Sequence, residues 1–443
     1  MTELTRADLI RLAVPSVALT VLTYAFRSVD QYWVQGLSTA AQAAVGASVF
    51  VVIGFFTLFE LPALGAAPLI ARATGAGDEE RRRELLGAAM LTTLLAAVVV
   101  AIVGVAGAGL IARSIGLEGD TAQAFITYWT ALCATFLPYA FTPLIDSAFL
   151  SMGDSKRPML LQGLGLGANI VLTPLFIFDE AFGLPGLGWG IAGAAIASNL
   201  SRAVAAGIGL WLLAERTGLT LRHVRPGPAI APILRMGAPL ALGTLFYAGV
   251  YWLMLRTSIS PLGPAVNAAL GIGFSALEGV TWPTFHGLSI AVASIVGRAL
   301  GAGRPELAER ALRLASPITT GLGLTAAVVF WLGGERIAAA FSLDPEVRYE
   351  ATLYATALAF TQLFVAYEAL YEGVLSGAGA TRQVFWLSAP LNLLRIPLAW
   401  LFAFPLGLGS MGVWWAINLT SVLKTGLKWW VVRRGDWRSL ELR

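Results

Sequence analysis

The chain has one cysteine, Cys133, two histidines, His223 and His286, and charged residues at only 13% of its positions. A lone cysteine excludes an internal disulfide and a cysteine metal cluster, and its place inside an apolar run reads as a small buried thiol. Two histidines this far apart cannot build a His-Glu-x-x-His zinc site. No Gly-x-x-x-x-Gly-Lys-Ser/Thr phosphate loop occurs, so ATP-driven work would need a separate subunit. Ser421-x-x-Lys424-Thr425-Gly426 imitates fragments of penicillin-binding enzymes, but both fragments share one lysine inside an apolar run, and coincidence accounts for it. No converging catalytic groups are found, and the chain is not expected to be an enzyme. Soluble globular domains carry roughly 25% charged residues, so most of this surface must face something other than water.

That something is lipid. Hydrophobic residues make up 57% of the chain, in stretches of about 20 residues or more, enough to cross roughly 30 Å of hydrocarbon at about 1.5 Å per residue. Twelve spans are expected, near 9–35, 44–70, 85–112, 122–150, 158–179 and 188–213, then 231–256, 264–296, 307–332, 348–376, 383–404 and 409–432. The first run merges into a full span and lacks a small-residue cleavage site, so no cleavable leader is expected.

The net charge of +4 matters less than where the positive residues fall. Arg6, Arg11, Arg72, Arg81 to Arg83, Lys156, Arg157, Arg216, Arg222, Arg225, Arg235, Arg298, Arg304, Arg310, Arg313, Arg382 and the tail Lys424 to Arg443 flank alternate membrane ends. The opposite ends carry Arg113, Arg256, Arg336 and Arg348. The positive-inside rule then puts both termini in the cytoplasm of a prokaryotic cell, the protein lying in the inner membrane. Trp429, Trp430 and Trp437 fit an aromatic belt, and Arg81-Arg82-Arg83 reads as a solvated loop or lipid-headgroup contact, not a nucleic-acid patch.

The chain repeats itself. Arg72-Ala-Thr-Gly-Ala-Gly77 returns as Arg298-Ala-Leu-Gly-Ala-Gly303, at an offset of 226 residues. Pro15 pairs with Pro239, Asp146 with Glu372, Asn169 to Pro174 with Asn392 to Pro397, and Asn199 with Asn418. Six spans per copy give both copies the same orientation, with a pseudo-twofold along the membrane normal. Two lobes are expected, 1–222 and 223–443, joined by the polar stretch Glu215 to Pro232. Pro62, Pro68, Pro138, Pro143, Pro239, Pro283, Pro390 and Pro397 fall within spans and read either as packing irregularities or as hinges.

Several motifs carry a resemblance. Span one ends in Asp30-Gln-Tyr-Trp-Val-Gln-Gly36-Leu-Ser and runs into Ala43-Ala-Val-Gly46. Beside it stand the Gly-Ala-Gly loops, Gly153-Asp-Ser-Lys-Arg-Pro158, Asn169-Ile-Val-Leu-Thr-Pro-Leu-Phe-Ile-Phe178 and Gly193-Ala-Ala-Ile-Ala-Ser198. Together these resemble the multidrug and toxic compound extrusion (MATE) transporters, the DinF-like branch being favoured, over essentially the whole chain. The resemblance implies an all-α integral membrane protein of twelve transmembrane helices in two pseudo-twofold six-helix lobes. It also implies a central cavity and export of amphipathic compounds driven by inward flow of protons or sodium ions.

Carried over residue by residue, the family's amino-terminal ion site falls on Asp30, Asn169, Thr173 and Ser198. Thr173 stands where some members carry a second Asp, and Gln35 where the family usually has Gly, so a sodium cage built on two acids is weakened. The carboxy-terminal cation site of another branch expects acids in spans seven and ten. Leu240 to Leu255 has none, and span ten offers Glu368 and Glu372 at shifted positions. Helix rise alone puts the four amino-terminal residues at a shared depth, roughly 7 to 15 Å from the outer end of their spans. An intramembrane acid costs about 2.5 to 3.5 kcal/mol on insertion scales, which makes Asp30 a functional candidate, while Arg27 three residues before it offers a rival, purely structural partner.

Glu368 and Glu372 lie four apart beside Tyr367 and Tyr371, and Glu278, Trp282 and His286 repeat that spacing in span eight. An acidic, aromatic wall of this kind would attract lipophilic cations. Interhelical hydrogen bonding is the plainer reading of the same residues, with Glu60 and His286 as lobe braces. The expected function is therefore a cation-coupled, preferably proton-coupled, antiporter exporting amphipathic or cationic organic compounds, acting as a monomer without a cofactor beyond the coupling ion. A sodium-coupled drug antiporter, a lipid-linked oligosaccharide flippase of related fold and a passive pore are the alternatives.

Overall fold

A computed structural model describes residues 4–440 except Gln35, Gly116, Glu118 and Leu343. It is built almost wholly of helices. Helices α1 (Arg6–Val34), α2 (Thr39–Ala76), α3 (Glu79–Ser114), α4 (Gly119–Thr135), α5 (Thr142–Ser151), α6 (Lys156–Ile177) and α7 (Gly190–Thr217) come first. After them come α8 (Ile230–Met254), α9 (Pro264–Ile272), α10 (Glu278–Gly301), α11 (Pro305–Phe341), α12 (Pro345–Ala359), α13 (Gln362–Ala378), α14 (Thr381–Ala403) and α15 (Gly409–Arg434). A two-stranded hairpin, β1 (Glu180–Ala181) against β2 (Leu184–Pro185), joins α6 to α7.

Among the described residues nine helices are each long and apolar enough to cross a membrane, and up to eleven spans result if each of two bent pairs is one span. The twelfth expected span is α15, whose 26 residues carry the buried polar stripe Asn418, Thr420, Ser421, Lys424, Thr425 and Lys428. That stripe keeps it outside a count by hydropathy. The outward faces are apolar: on α3, Ile102 is 65% and Leu110 74% exposed, an arrangement that suits lipid and not water.

The repeated Gly-Ala-Gly motif has a conformational cause. Gly77 ends α2 at φ +72°, and its counterpart Gly303 follows α10 at φ +67°, a left-handed conformation that glycine adopts at no steric cost. Directly after Gly77, Asp78 caps α3 by accepting from the Arg81 backbone N–H at 2.9 Å, and Glu79 and Glu80 complement the positive end of the helix dipole.

Two spans are broken. The axes of α4 and the short helical segment to Ser151 differ by 68°, and those of α12 and α13 by 58°. Pro138 stands at the first break; the second, at Phe360 and Thr361, contains no proline. Of the candidate proline hinges, Pro62, Pro68, Pro239, Pro283, Pro390 and Pro397 lie inside continuous helices.

The chain divides into two compact units, one of Met1–Thr20 with Leu242–Arg443 and one of Val21–Ala241. Beside the lobes expected at 1–222 and 223–443, the first turns of α1 therefore group with the carboxy-terminal helices and the first turns of α8 with the amino-terminal ones. Close backbone approach explains both. A Cβ at Gly287 would stand 2.5 Å from Val17 Cα, so α10 meets the start of α1 where only glycine fits. In the other unit a Cβ at Gly65 would lie 2.0 Å from the Ile233 carbonyl oxygen, and one at Gly237 2.3 Å from that of Leu61. The core of that unit gathers Phe59, Phe125, Trp129, Cys133 and Phe136. Its counterpart in the first unit gathers Tyr251, Phe330, Tyr354, Val413 and Trp414.

Candidate functional site

Asp30 lies one turn before the end of α1, and the residue is only 9% exposed. Asn169 and Thr173, four apart on α6, share one helical face and are fully buried. Ser198 comes from α7. The four sequence-derived residues meet in one hydrogen-bonded cluster. The Ser198 hydroxyl faces both carboxylate oxygens of Asp30, at 2.6 Å and 2.8 Å. The Asn169 amide nitrogen lies 2.9 Å from Thr173 Oγ1, 2.9 Å from Ser198 Oγ and 3.3 Å from Asp30 Oδ1.

The Asn169 amide nitrogen faces the carboxyl group as a donor, and the Ser198 hydroxyl can donate to an ionised carboxylate or accept from a protonated one. One atom is left over: Asn169 Oδ1 is buried with no hydrogen-bond partner among the described residues. A neutral carboxyl group is itself a donor, so a rotated Asn169 amide would present this oxygen to a protonated Asp30. The cluster can thus serve either protonation state by turning one side chain. Among the described residues no group of three or more His, Cys, Asp or Glu could hold a metal ion.

The side chain of Arg27, the rival partner for Asp30, lies outside the described residues. A different arginine stands nearby. Arg202 lies on α7 four residues beyond Ser198, one helical turn from the serine that contacts Asp30. Its guanidinium carbon sits 4.2 Å from the Phe26 ring centre and 4.5 Å from that of Tyr139. Sequence reasoning missed it, although the Ser198-x-x-x-Arg202 spacing puts both on one helical face.

The residues expected to line a substrate surface are more dispersed. Glu278, Trp282 and His286 do form one stripe of α10, with the Trp282 and His286 rings stacked at 5.8 Å. Glu278 accepts from the Tyr354 hydroxyl at 2.7 Å. On α13, Tyr367 turns toward α11, within 2.8 Å of Thr320 Oγ1, and lies 5.6 Å from Tyr371 between ring centres. Glu368 and Glu372 turn instead toward α15. Glu368 pairs with Lys424 at 2.9 Å and with Lys428 at 3.1 Å, and Glu372 pairs with Lys428 at 2.6 Å.

Two expectations change here. The Glu368 and Glu372 carboxylates are not a bare acidic wall, since two lysines neutralise them. Lys424 and Lys428 belong to no cytoplasmic positive tail but are buried inside the unit, because carboxylates two helices away in sequence give them partners. Arg395, 3% exposed, extends this polar seam. It donates to Thr420 Oγ1 at 2.8 Å, Ser421 Oγ at 3.0 Å and the Tyr251 hydroxyl at 3.4 Å.

A family model, MatE, matches residues 15–175 and, a second time, residues 239–401. The chain belongs to the MatE family. This is a family of transporters and not of enzymes. The MatE chain is 27% identical over 439 residues to the probable multidrug resistance protein NorM of Thermotoga maritima, covering 98% of this chain and 93% of that one. To the probable multidrug resistance protein YpnP of Bacillus subtilis it is 24% identical over 301 residues, 67% of this chain and 65% of that one. Neither relative places it in the DinF-like branch.

Among solved structures, a MOP superfamily transporter from Pyrococcus furiosus superposes with a TM-score of 0.89 at 23% identity, over 98% of this chain and 97% of that one. A MATE protein in complex with MaD3S gives 0.88 at 25% identity over the same shares. The first MatE match holds Asp30, Asn169 and Thr173, while Ser198 and Arg202 lie beyond it; the second holds Glu278, Glu368, Glu372 and Arg395 but not the lysines of α15.

Proposed function

We propose that this MatE protein exports amphipathic or cationic organic compounds by alternating access, coupled to inward movement of protons through Asp30. The observation that carries the reading is the Asp30 cluster: one buried carboxylate, neutral partners, and an Asn169 amide able to satisfy either protonation state. A single carboxylate with Thr173 in place of a second acid gives a proton a site and gives sodium few charged oxygens. The NorM and YpnP relatives, both described as probable multidrug resistance proteins, support the substrate class. In this reading the protein works as a monomer in a prokaryotic inner membrane, and the arginines that flank alternate membrane ends support cytoplasmic termini.

Coupling requires that proton and substrate favour different conformations, since a ligand shifts an equilibrium only by its differential affinity. The stripe Glu278, Trp282 and His286 is the proposed substrate surface, with Tyr367, Glu368, Tyr371 and Glu372 at its margin. The test is ethidium efflux from proteoliposomes under separately imposed proton and sodium gradients, with parent and Asp30→Asn compared. Efflux that follows the proton gradient and is lost in the variant is the expected result; efflux indifferent to both gradients would overturn the reading.

A second reading is favoured by one observation, the three buried cations Arg395, Lys424 and Lys428. Such a set suits a substrate with an anionic group, as in a lipid-linked oligosaccharide flippase. The Pyrococcus furiosus neighbour is described as having a binding pocket of reverse polarity that suggests a different function. Flipping of a fluorescent phospholipid without proton-driven ethidium efflux would select this reading.

A further inference from the structure

Arg202 is unusual for a cation within a membrane-spanning helix. It makes no ion pair and no hydrogen bond among the described residues, and the faces of Phe26 and Tyr139 hold its guanidinium. Arginine stays charged at any attainable pH, and a charge inside a span is costly unless it has a partner or a task. Two ring faces supply a cation-π clamp, which offsets part of that cost and, among the described residues, leaves the five N–H donors without a hydrogen-bond partner.

The clamp has a defined relation to Asp30. Phe26 precedes Asp30 by one turn on α1, and Arg202 follows Ser198 by one turn on α7. Ser198 and Asp30 are themselves in hydrogen-bond contact. The guanidinium is therefore one helical turn from the carboxylate along both helices, a separation that an arginine side chain spans by changing rotamers. The other polar groups facing Asp30 are Asn169 and Thr173 on α6 and Ser198 on α7, all neutral; Tyr139 on the turn between α4 and α5 belongs to the clamp. Arg27, on the helix of Asp30 itself, has its side chain outside the described residues.

We propose that Arg202 is the tethered counter-cation of Asp30, which pairs with the carboxylate when its proton leaves and so reserves the site for protons over sodium. The inference rests on the proton-coupled reading of Asp30 and deepens it. Sodium binds by charge and oxygen coordination, and a site whose single negative charge is matched by a resident guanidinium has no net field for it. A proton forms a covalent O–H bond instead, after which the displaced guanidinium returns to its ring clamp. The exchange needs no free metal ion at any stage. Arg202 is a positioning residue, acting through Asp30.

The experiment measures ethidium efflux from proteoliposomes under imposed sodium and proton gradients for the parent, Arg202→Gln, Arg202→Lys, Phe26→Leu and Phe26→Leu/Arg202→Gln. Arg202→Gln should raise sodium-driven efflux by about tenfold over the parent, a typical coupling factor, whereas Arg202→Lys, which keeps the charge, should not. Phe26→Leu, which removes one face of the clamp, should lower proton-driven efflux by about tenfold, and the double variant should regain it. Proton-driven efflux with no sodium response in Arg202→Gln would overturn the proposal while leaving the proton reading intact. If Arg202→Gln does not fold, an unchanged Phe26→Leu would overturn it independently. A parent without proton-driven efflux would instead remove the reading of Asp30 on which the proposal stands.

Discussion

Asn199 donates its side-chain amide to the backbone carbonyl oxygen of Leu132 at 2.9 Å. The bond closes a gap that the chain itself creates. α4 stops at Thr135 before Pro138, so carbonyls in its last turn lose their helical donors. The repeat mate of Asn199 does the same work elsewhere: Asn418 donates to the Ala357 carbonyl oxygen at 2.7 Å and accepts from the Thr361 hydroxyl at 2.7 Å. There the Thr361 backbone N–H turns to Leu358 at 3.1 Å instead of Ala357. Each broken span is thus pinned by a buried asparagine.

Removing either pin should loosen its break. Asn418→Ala leaves the Ala357 carbonyl without its donor, at a cost of about 1 to 3 kcal/mol, while the Thr361 hydroxyl keeps the Leu358 carbonyl oxygen at 3.1 Å. Asn199→Ala should cost less, because it also removes a buried Oδ1 that lacks a hydrogen-bond partner among the described residues. Thermal unfolding in detergent should order the two variants accordingly, and faster amide exchange should appear at residues 132–137 in the second. Equal melting of Asn418→Ala and the parent would sink the account.

Ser198 should matter to transport more than to folding. Its hydroxyl faces both Asp30 oxygens, and a hydrogen bond to an ionised group contributes about 1.5 to 3 kcal/mol. Ser198→Ala weakens the ionised form more than the protonated one and should slow proton-driven efflux by about tenfold or more. Ser198→Thr, which keeps the hydroxyl, should retain most activity. Indistinguishable rates for Ser198→Ala and the parent would show that the hydroxyl does not bear on the proton.

The lysine ladder on α15 gives a coupled prediction. Lys428 is fully buried between Glu368 and Glu372, and among the described residues Lys428→Met would leave Glu372 without an ion-pair partner and Glu368 with Lys424 alone. Breaking a buried pair costs about 3 to 5 kcal/mol, whereas replacing both partners by neutral groups is often close to neutral. Lys428→Met/Glu372→Gln should therefore be more stable than Lys428→Met alone. A double-mutant cycle from thermal unfolding checks this, and strict additivity would refute the coupling.

What was legible in the sequence divides along physical lines. Long apolar runs, the Gly-Ala-Gly turns and the repeat announce the helices, because hydropathy and left-handed glycines are local properties. Asp30, Asn169, Thr173 and Ser198 were legible through motif order and a shared depth. Arg202 was not, since depth does not reveal which face of α7 meets Phe26. The partners of Glu368 and Glu372 were hidden for a similar reason: Lys428 lies 60 and 56 residues away, and its sequence neighbours read as a cytoplasmic tail. Proline marked the break at Pro138 but not the one at Thr361, where a polar pin from α15 does the work instead.

Asp154 carries a prediction about pH. It lies in the loop between α5 and α6, where the side chains of Arg157 and Arg216 both pair with it. Burial would raise its pKa, but the hydrogen bonds from the Arg157 backbone and side chain and the charges of Arg216 and Arg157 outweigh that and hold it below the ordinary carboxylate range. A carboxylate depressed on folding adds stability above its unfolded pKa of about 3.9, and that stability is lost as pH falls toward the folded value. The parent should therefore melt higher than Asp154→Asn by a constant margin from neutral pH down to about pH 5, and the margin should shrink below about pH 4. Melting curves of both proteins across that range in detergent provide the check. A margin that stays constant through the lowest pH would mean that Asp154 stabilises the loop by shape and not by charge.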